Sequence, residues 1–305
     1  MANILITEKM DDIAEKTLRD AGHNVILGWN LSADELNENL KTADAILVRI
    51  MDLHGDLIAD NANLKIISKH GVGLDNIDLN FTKKKGIEVT VTPGANSQAV
   101  AEHTVTMMMA LAKNLPIITG KYREMGFGAK NIKTAIELNG KTVGILGYGN
   151  IGKRVAKILK YGFDMRVLVY DPYIDSLPEG FELISSKEEV LRNSDFITIH
   201  LMLTEDTFHL IGEKEFDMMK DTAILINCAR GPHIDEEALI RALQDKKIAG
   251  AGLDVTEAEP CSPENPLFHM ENVILTPHYA PTTKEAAYNV AKMAADNLVN
   301  FFEKN

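Results

Sequence analysis

The stretch Lys141-Thr-Val-Gly-Ile-Leu-Gly-Tyr-Gly-Asn-Ile-Gly152 decides how the rest of this 305-residue chain is interpreted. Residues 142–146 are largely apolar and rich in β-branched side chains, which predicts a buried strand. Gly147, Gly149 and Gly152 follow, and the apolar residues after them recur at helical spacing. At a pyrophosphate site the first such glycine makes a tight turn, the second admits the phosphates and the third lets the helix pack closely. The stretch therefore predicts a strand, a phosphate-binding turn and a helix N-terminus.

Asp171 ends the segment that follows this turn. Residues 165–169 predict a second strand, so the acid would stand at the tip of a strand–turn–helix–strand unit. A carboxylate there accepts hydrogen bonds from a ribose 2′-hydroxyl and repels a 2′-phosphate, which favours NAD over NADP. The plainer alternative is a glycine turn that only packs a βαβ unit, but the second strand and its terminal acid favour dinucleotide binding.

The composition excludes several classes of protein. Hydrophobic residues make up 45% of the chain and charged residues 25%, which is typical of a soluble globular protein long enough for two domains. The net charge is −12 without a basic block, so nucleic acid and membranes are not expected partners, and a small anionic substrate needs a local positive cluster. Cys228 and Cys261 are too few for a disulfide framework or a metal site. Without a signal peptide or a long apolar run, we expect a cytoplasmic protein.

The first third of the chain alternates short apolar runs with helical patterns. We predict helices such as 13–20 and 33–41, between strands at residues 4–6, 25–27, 45–48, 65–68 and 87–91. This alternation indicates a parallel sheet in a first α/β domain, residues 1–96. The domain has no glycine fingerprint.

A long helix is predicted from Asn96 or Ser97, after the chain break at Pro93-Gly94. Its buried face would comprise Val100, Thr104, Met107, Met108 and Leu111. The three methionines at 107–109 favour helix core or a subunit interface over a ligand-binding surface. Residues 114–140 contain several glycines and predict an irregular segment.

The second α/β domain continues to about residue 281. After the strand at 142–146, strands are expected at 165–169, 196–200, 223–226, 249–253 and 273–275. Thr282-x-x-Glu285 has the form of a capping box and would open a final helix that can return to the first domain. The apolar face of that helix would comprise Ala286, Val290, Met293, Ala294 and Leu298. The predicted fold is therefore α/β, with two Rossmann-like or flavodoxin-like parallel-sheet domains.

The last three predicted strands of the second domain lead into residues that could act on a 2-oxo acid. Arg230 follows the first of them, Glu259 lies in an acidic loop after the next, and His278 follows the last. In an open α/β sheet these residues would share the carboxyl edge with the glycine turn. Arginine binds a carboxylate bidentately, histidine exchanges protons near neutral pH, and a nearby carboxylate stabilises the protonated ring. Each residue alone has a structural alternative, but the shared edge favours catalysis.

Six stretches carry a resemblance to a known family. They are Lys69-His-Gly-Val-Gly-Leu-Asp-Asn-Ile-Asp78, Pro93-Gly-Ala-Asn-Ser-x-Ala-Val-Ala-Glu-His103, Gly147–Gly152, Asn227-Cys-Ala-Arg-Gly231, Asp254–Pro260 and Thr276-Pro-His278. In this order they closely resemble the D-isomer-specific 2-hydroxyacid dehydrogenase family over nearly the whole chain. The resemblance implies an NAD-dependent dehydrogenase with a catalytic set of Arg230, Glu259 and His278, in which Glu259 rather than Glu257 pairs with the histidine.

The same resemblance implies further contacts and an assembly. Besides the glycine turn, the residues that would touch NAD are Asn150, Ile151, Asp171, Cys228, Arg230, Asp254 and His278. The backbone at Val72 and Gly73 would hold the substrate carboxylate, in a cleft between a substrate domain (1–96 with 282–305) and an NAD-binding domain (97–281). The family also implies a homodimer joined through residues 97–140, and no metal is expected.

Arg49 and Lys69 bear on the substrate. They match positions where family members that convert D-3-phosphoglycerate to 3-phosphohydroxypyruvate, a step of serine biosynthesis, carry basic residues near the substrate phosphate. We expect that substrate, in a form without a C-terminal regulatory domain. The alternatives are a reductase of glyoxylate, hydroxypyruvate or another small 2-oxo acid and, in another class, an NAD-sensing binding protein like the family's corepressors. Ile50, Met202 and Tyr279 depart from the family pattern near the expected site.

Overall fold

A computed structural model describes residues 1–304 of the protein, which divide into two compact units. Unit 1 comprises residues 1–96 with the chain from Thr282 onward, and unit 2 comprises residues 97–281. Each unit is a parallel sheet flanked by helices, so the predicted α/β class is confirmed. None of the helices within residues 1–304 combines the length and the apolarity needed to cross a membrane.

Over its described residues, unit 1 has five strands and four α-helices. Its strands are β1 (Asn3–Ile6), β2 (Asn24–Leu27), β3 (Ala45–Val48), β4 (Ile66–Lys69) and β5 (Glu88–Thr90). Its helices are α1 (Ile13–Asp20), α2 (Ala33–Thr42), α3 (Leu79–Lys85) and the C-terminal α10 (Lys284–Lys304). The strand order is β2-β1-β3-β4-β5, so the winding direction of the sheet reverses between β1 and β3.

Helix α10 packs with α1 on one face of this sheet. Its alanines 291, 294 and 295 are fully buried together with Leu298, while Met293 is only half-buried. Ser68 of β4 donates its hydroxyl to the carbonyl of Ala294 at 2.8 Å, so α10 completes the layer. The predicted cap is wrong by one residue: the hydroxyl of Thr283, not Thr282, accepts the N–H of Ala286 at 3.1 Å.

Unit 2 has seven strands and six α-helices. Its strands are β6 (Thr142–Leu146), β7 (Arg166–Tyr170), β8 (Glu182–Leu183), β9 (Phe196–Ile199), β10 (Ile224–Asn227), β11 (Gly250–Leu253) and β12 (Val273–Leu275). Its helices are α4 (Ser97–Ala112), α5 (Leu115–Met125), α6 (Asn150–Phe163), α7 (Lys187–Asn193), α8 (Glu213–Phe216) and α9 (Glu236–Gln244). The order β12-β11-β10-β9-β6-β7-β8 is that of a Rossmann sheet with one extra strand, and its winding reverses between β6 and β9.

The prediction that residues 114–140 are irregular is wrong for the first half of this range. The chain forms α5 and then a 3₁₀ helix at Gly126–Asn131. No residue of α5 is buried, and Gly120 lies within it, which lowers its helix propensity and favoured the irregular interpretation. The face predicted for α4 is closer to the structure, since Val100, Thr104, Met107 and Met108 are buried.

Candidate dinucleotide and catalytic site

The glycine turn lies between β6 and α6. Gly147 has φ +98°, which favours glycine, and an added Cβ would lie 2.7 Å from the carbonyl oxygen of His200. A Cβ at Gly152 would lie 2.1 Å from the carbonyl oxygen of Gly147, so only glycine lets α6 pack this closely. Among residues 1–304 nothing lies within 4 Å of a Cβ added at Gly149, so a ligand can approach that backbone. The three glycines thus fit the three tasks of a pyrophosphate site.

Helix α6 begins at Asn150, directly after this turn. Gly149 is its N-cap, and no side chain caps it, so the first-turn N–H groups and the positive end of the helix dipole can serve an anion. Asn150 is exposed, and its carbonyl accepts a hydrogen bond from Arg154. Ile151 is half-buried and packs on the core of unit 2.

Asp171, at the tip of β7, is fixed against the glycine turn. Its Oδ2 accepts the N–H of Tyr148 at 2.8 Å, and its Oδ1 accepts the N–H of Tyr173 at 3.0 Å. A carboxylate offers about four acceptor positions, so the side chain keeps capacity for ribose hydroxyls. The acid and the turn therefore fit one dinucleotide.

His278 and Glu259 form a close pair at the carboxyl edge of unit 2. His278 Nδ1 lies 3.0 Å from Glu259 Oε2, and the two side chains are 43% and 41% exposed, which leaves them accessible to a ligand. Because an ionised carboxylate only accepts hydrogen bonds, Nδ1 carries the hydrogen of this contact. The other ring nitrogen, Nε2, is then the atom that can exchange a proton with a substrate.

The electrostatics of Glu259 suit this pairing. Burial raises the pKa of the Glu259 carboxyl, but the hydrogen bond and charge of His278, with a smaller contribution from Arg230, outweigh burial and leave the pKa below its ordinary value. Glu259 is therefore ionised at neutral pH and accepts the hydrogen of His278 Nδ1, which fixes the orientation of the ring.

Arg230 follows β10, the neighbour of β11. Asn227 at the end of β10 donates its amide to the carbonyl of Arg230 at 2.8 Å, and Arg230 Nη1 donates to the carbonyl of Ala229 at 2.8 Å. A Cβ added at Gly231 would lie 1.8 Å from the carbonyl oxygen of Thr256, so the arginine turn touches the loop that carries Glu259. The structure thus brings Arg230, Glu259 and His278 to one sheet edge.

Asp254, at the end of β11, organises the turn that presents His278. The residue is 1% exposed, and its carboxylate accepts the Thr276 hydroxyl at 2.5 Å and the N–H groups of Tyr279 and Ala280 at 2.7 and 2.9 Å. Its carbonyl accepts the N–H of His278 at 2.7 Å. His278 has φ +51°, uncommon for a residue other than glycine, so this turn depends on its hydrogen bonds.

His103 of α4 supports the same turn and was not identified as a site residue from sequence. Its Nε2 lies 3.2 Å from the hydroxyl oxygen of Thr276 and 3.6 Å from Asp254 Oδ1. Since the Thr276 hydroxyl donates to Asp254, its oxygen accepts from His103. The only sequence signal was its place at the end of the 93–103 stretch.

Two further residues near this edge have contacts that limit their roles. The Cys228 thiol is buried against Met107, with the two sulfurs 3.9 Å apart, and burial raises its pKa to about 12, so the thiol is neutral. Glu257 forms a second pair, its Oε1 lying 2.8 Å from His209 Nε2. Within residues 1–304 no cluster of three His, Cys, Asp or Glu side chains is arranged to hold a metal.

Unit 1 carries the residues expected at the substrate. Arg49 is exposed after β3, whereas Lys69 is only 8% exposed and its ammonium donates to the Arg49 carbonyl and, at 2.5 Å, to Asn76 Oδ1. Lys69 therefore links the end of β3 to the loop after β4. Val72 is exposed, and among residues 1–304 no acceptor pairs with the N–H of Val72 or Gly73.

Three departures from the family pattern expose apolar surface. Ile50, Met202 and Tyr279 are all exposed. Ile50 directly follows Arg49, Tyr279 directly follows His278, and Met202 lies two residues beyond His200. Their side chains can therefore contact a ligand rather than fill the core.

The fold and the site define a dinucleotide-binding α/β protein with a histidine–carboxylate pair on the same sheet edge as the glycine turn. Residues 105–280 match the family model described as D-isomer specific 2-hydroxyacid dehydrogenase, NAD binding domain. The chain belongs to the D-isomer specific 2-hydroxyacid dehydrogenase family, and NAD is the dinucleotide that this domain of the family binds.

Three known proteins illustrate the similarity. The chain is 39% identical over 302 residues to D-3-phosphoglycerate dehydrogenase of Archaeoglobus fulgidus, covering 97% of this chain but 56% of that one. It is 41% identical over 280 residues to glyoxylate reductase of Thermofilum pendens, covering 89% and 82%. The structure of NAD-dependent formate dehydrogenase from Staphylococcus aureus in complex with NAD superposes with a TM-score of 0.84 at 28% identity, covering 100% and 96%. The chain thus spans about half the length of the phosphoglycerate dehydrogenases that it matches.

Proposed function

We propose that the protein is an NAD-dependent dehydrogenase of D-2-hydroxy acids, with Arg230, Glu259 and His278 as its catalytic residues. The observation that carries the proposal is the 3.0 Å contact between His278 Nδ1 and Glu259 Oε2, on the same sheet edge as the glycine turn and Arg230. The glycine turn, the N-terminus of α6 and Asp171 would hold NAD, which would supply the hydride acceptor for C2 of the hydroxy acid.

The chain's own residues would exchange a proton with the substrate and bind its negative charges. His278 Nε2 accepts the proton of the C2 hydroxyl during oxidation and returns it to the C2 carbonyl oxygen during reduction. The ionised Glu259 accepts the hydrogen of Nδ1 and so fixes the orientation of the ring. Arg230 binds the carboxylate and the C2 oxygen, and the N–H groups of Val72 and Gly73 bind the carboxylate. Asp254 and His103 hold the turn that carries His278.

As the substrate we propose D-3-phosphoglycerate, oxidised to 3-phosphohydroxypyruvate in serine biosynthesis. Support comes from the exposed Arg49 guanidinium, from the position of Lys69 beside it, and from two relatives of that name at 39% and 41% identity. Arg49 would bind the phosphate from outside the sheet edge.

A reductase of glyoxylate or hydroxypyruvate is the second candidate. Relatives with those names are as similar to this chain, at 41% and 38% identity. The internal hydrogen bonds of Lys69 also favour it, since they occupy the ammonium that a phosphate would use. Unphosphorylated substrates need no such cation.

The two candidates are separated by a panel of phosphorylated and unphosphorylated acids, assayed with NAD and with NADP. In the variant Arg49→Gln we expect kcat/KM for 3-phosphoglycerate to fall about tenfold or more, while that for glyoxylate changes less than about threefold. The control is Lys65→Gln, which removes one positive charge from an exposed lysine just before the start of β4. Equal losses for both substrates would contradict the phosphate-binding role.

We also propose a cytoplasmic homodimer joined through residues 97–140. The supporting observation is a row of exposed apolar side chains on α5 and the segment after it, comprising Leu115, Tyr122, Met125, Phe127, Ile132 and Ile136. Sedimentation of the full chain tests the assembly, and a monomer at micromolar concentration would contradict it.

A further inference from the structure

The carboxyl edge of unit 1 has a reversal point between β1 and β3, as the Rossmann sheet of unit 2 has between β6 and β9. In open parallel sheets this is the position where ligands bind. In unit 1 the position is filled by Glu8, which follows β1 and reaches across to the chain that leaves β3.

Three successive backbone N–H groups converge on the Glu8 carboxylate. Oε2 accepts from Arg49 at 2.9 Å, and Oε1 accepts from Ile50 at 2.6 Å and from Met51 at 2.5 Å. The hydroxyl of Thr7 also donates to Oε2. Successive N–H groups that point into one concavity form an anion-binding nest. Residues 49–51 therefore form an anion cradle, and its occupant is a side chain of the protein.

The surroundings of the cradle are positive. The exposed Arg49 side chain extends from the cradle itself. Glu8 accepts the N–H of Arg49 and the Lys69 ammonium donates to its carbonyl, so both backbone groups of this residue are held. His70 lies nearby, and burial, helped by the charges of Arg49 and Lys69, lowers its pKa to about 4. The ring is therefore neutral at pH 7. The carboxylate of Glu8 is the anion that binds these backbone N–H groups.

We propose that residues 49–51 form an anion site whose built-in occupant is Glu8, and that Glu8 thereby limits how unit 1 holds a phosphorylated substrate. Each carboxylate oxygen accepts two hydrogen bonds, and its negative charge repels a second anion. A substrate phosphate is then left to the Arg49 side chain outside the cradle. The substrate part of this inference rests on the proposed function, whereas the anion site does not.

The test is a titration of the full chain with inorganic phosphate, without substrate or cofactor. Glu8→Ala empties the cradle and should bind phosphate about tenfold or more tightly than the wild type, because three N–H donors beside an arginine become available. Glu38→Ala, on the exposed surface of α2, removes the same charge elsewhere and should leave the affinity unchanged. Backbone amide chemical shifts locate the site: the largest changes in Glu8→Ala should fall on Arg49, Ile50 and Met51.

Equal phosphate affinity in folded Glu8→Ala and wild type overturns the proposal, as do shifts confined to other residues. If Glu8→Ala does not fold, Glu8→Gln decides, since it keeps the side-chain volume but loses the charge. This variant should bind phosphate at least about threefold more tightly than wild type, and unchanged affinity overturns the proposal. Binding is measured without turnover, so a protein that proved inactive would defeat the dehydrogenase proposal and leave this result standing.

Discussion

Both sheets of this protein have backbone N–H groups at the reversal point of the sheet, but those of unit 2 are open to a ligand and those of unit 1 already bind a side chain. At the reversal point of unit 2 a glycine turn and an uncapped helix N-terminus present N–H groups, and the space around Gly149 is open. At the reversal point of unit 1 three N–H groups already bind the Glu8 carboxylate. Backbone donors at a sheet edge therefore do not by themselves indicate a ligand. What distinguishes a ligand site from a structural one is whether the chain supplies its own anion.

The largest expected effect concerns the chemistry at the edge of unit 2. His278→Ala should lower kcat by about 10²–10⁴-fold, because it removes the group that exchanges a proton with the substrate. His209→Ala breaks the other histidine–glutamate pair, with Glu257, and should change kcat less than about threefold. Steady-state assays of the two variants decide, and losses of equal size would mean that the His278–Glu259 pair has no special role.

A second variant would place a carboxylate at the glycine turn of unit 2, as Glu8 places one at the reversal point of unit 1. Gly149→Asp should weaken NAD binding by about 100-fold or more, because a carboxylate in the open turn repels the pyrophosphate. The backbone there has φ −77° and ψ −157°, which any residue adopts, so the fold should be retained. Gly149→Asn, the neutral isostere, separates repulsion from crowding in a calorimetric titration with NAD. If Asn and Asp weakened binding equally, crowding alone would explain the loss.

The smallest expected effect is a pH dependence of stability at the reversal point of unit 2. Burial lowers the pKa of His200, next to the glycine turn, to about 3. Between pH 6.5 and 3 the unfolded chain therefore binds more protons than the folded one, so stability is complete above 6.5 and falls as the pH drops. From pH 6.5 to 5 this residue should cost roughly 2 kcal/mol.

Chemical denaturation of the wild type and of His200→Gln at both pH values measures that cost. The variant should lose correspondingly less stability on acidification, while His269→Gln, at an exposed position, should follow the wild type. Parallel pH profiles for wild type and His200→Gln would exclude His200 as the source.

The sequence predicted unit 2 better than unit 1, for a physical reason. The glycine turn has a local pattern, because a Cβ at Gly147 or Gly152 would meet neighbouring backbone, while Gly149 leaves space for a ligand. Glu8 has no such pattern, since its partners are 41 to 43 residues away and are backbone atoms that any residue type provides. The pairing of His278 with Glu259 could be anticipated only through the family resemblance.

Other elements were missed because their signals are weak. Helix α5 contains Gly120 and buries no residue, so its sequence suggested a loop rather than a helix. Strand β8 has two residues, too few for an alternating pattern. His103 lies on an otherwise largely apolar helix, and only the fold brings it to Thr276 and Asp254.

The discontinuous composition of unit 1 also sets an order of events during synthesis. Unit 2 is one uninterrupted stretch, residues 97–281, and its sheet can close as soon as that stretch has left the ribosome. Unit 1 begins first but lacks α10, so the faces of Ala14 and Leu18 stay uncovered until about 280 further residues have been made. The half of the protein that starts first therefore finishes last, and the side of its sheet that α10 covers stays exposed after unit 2 is complete.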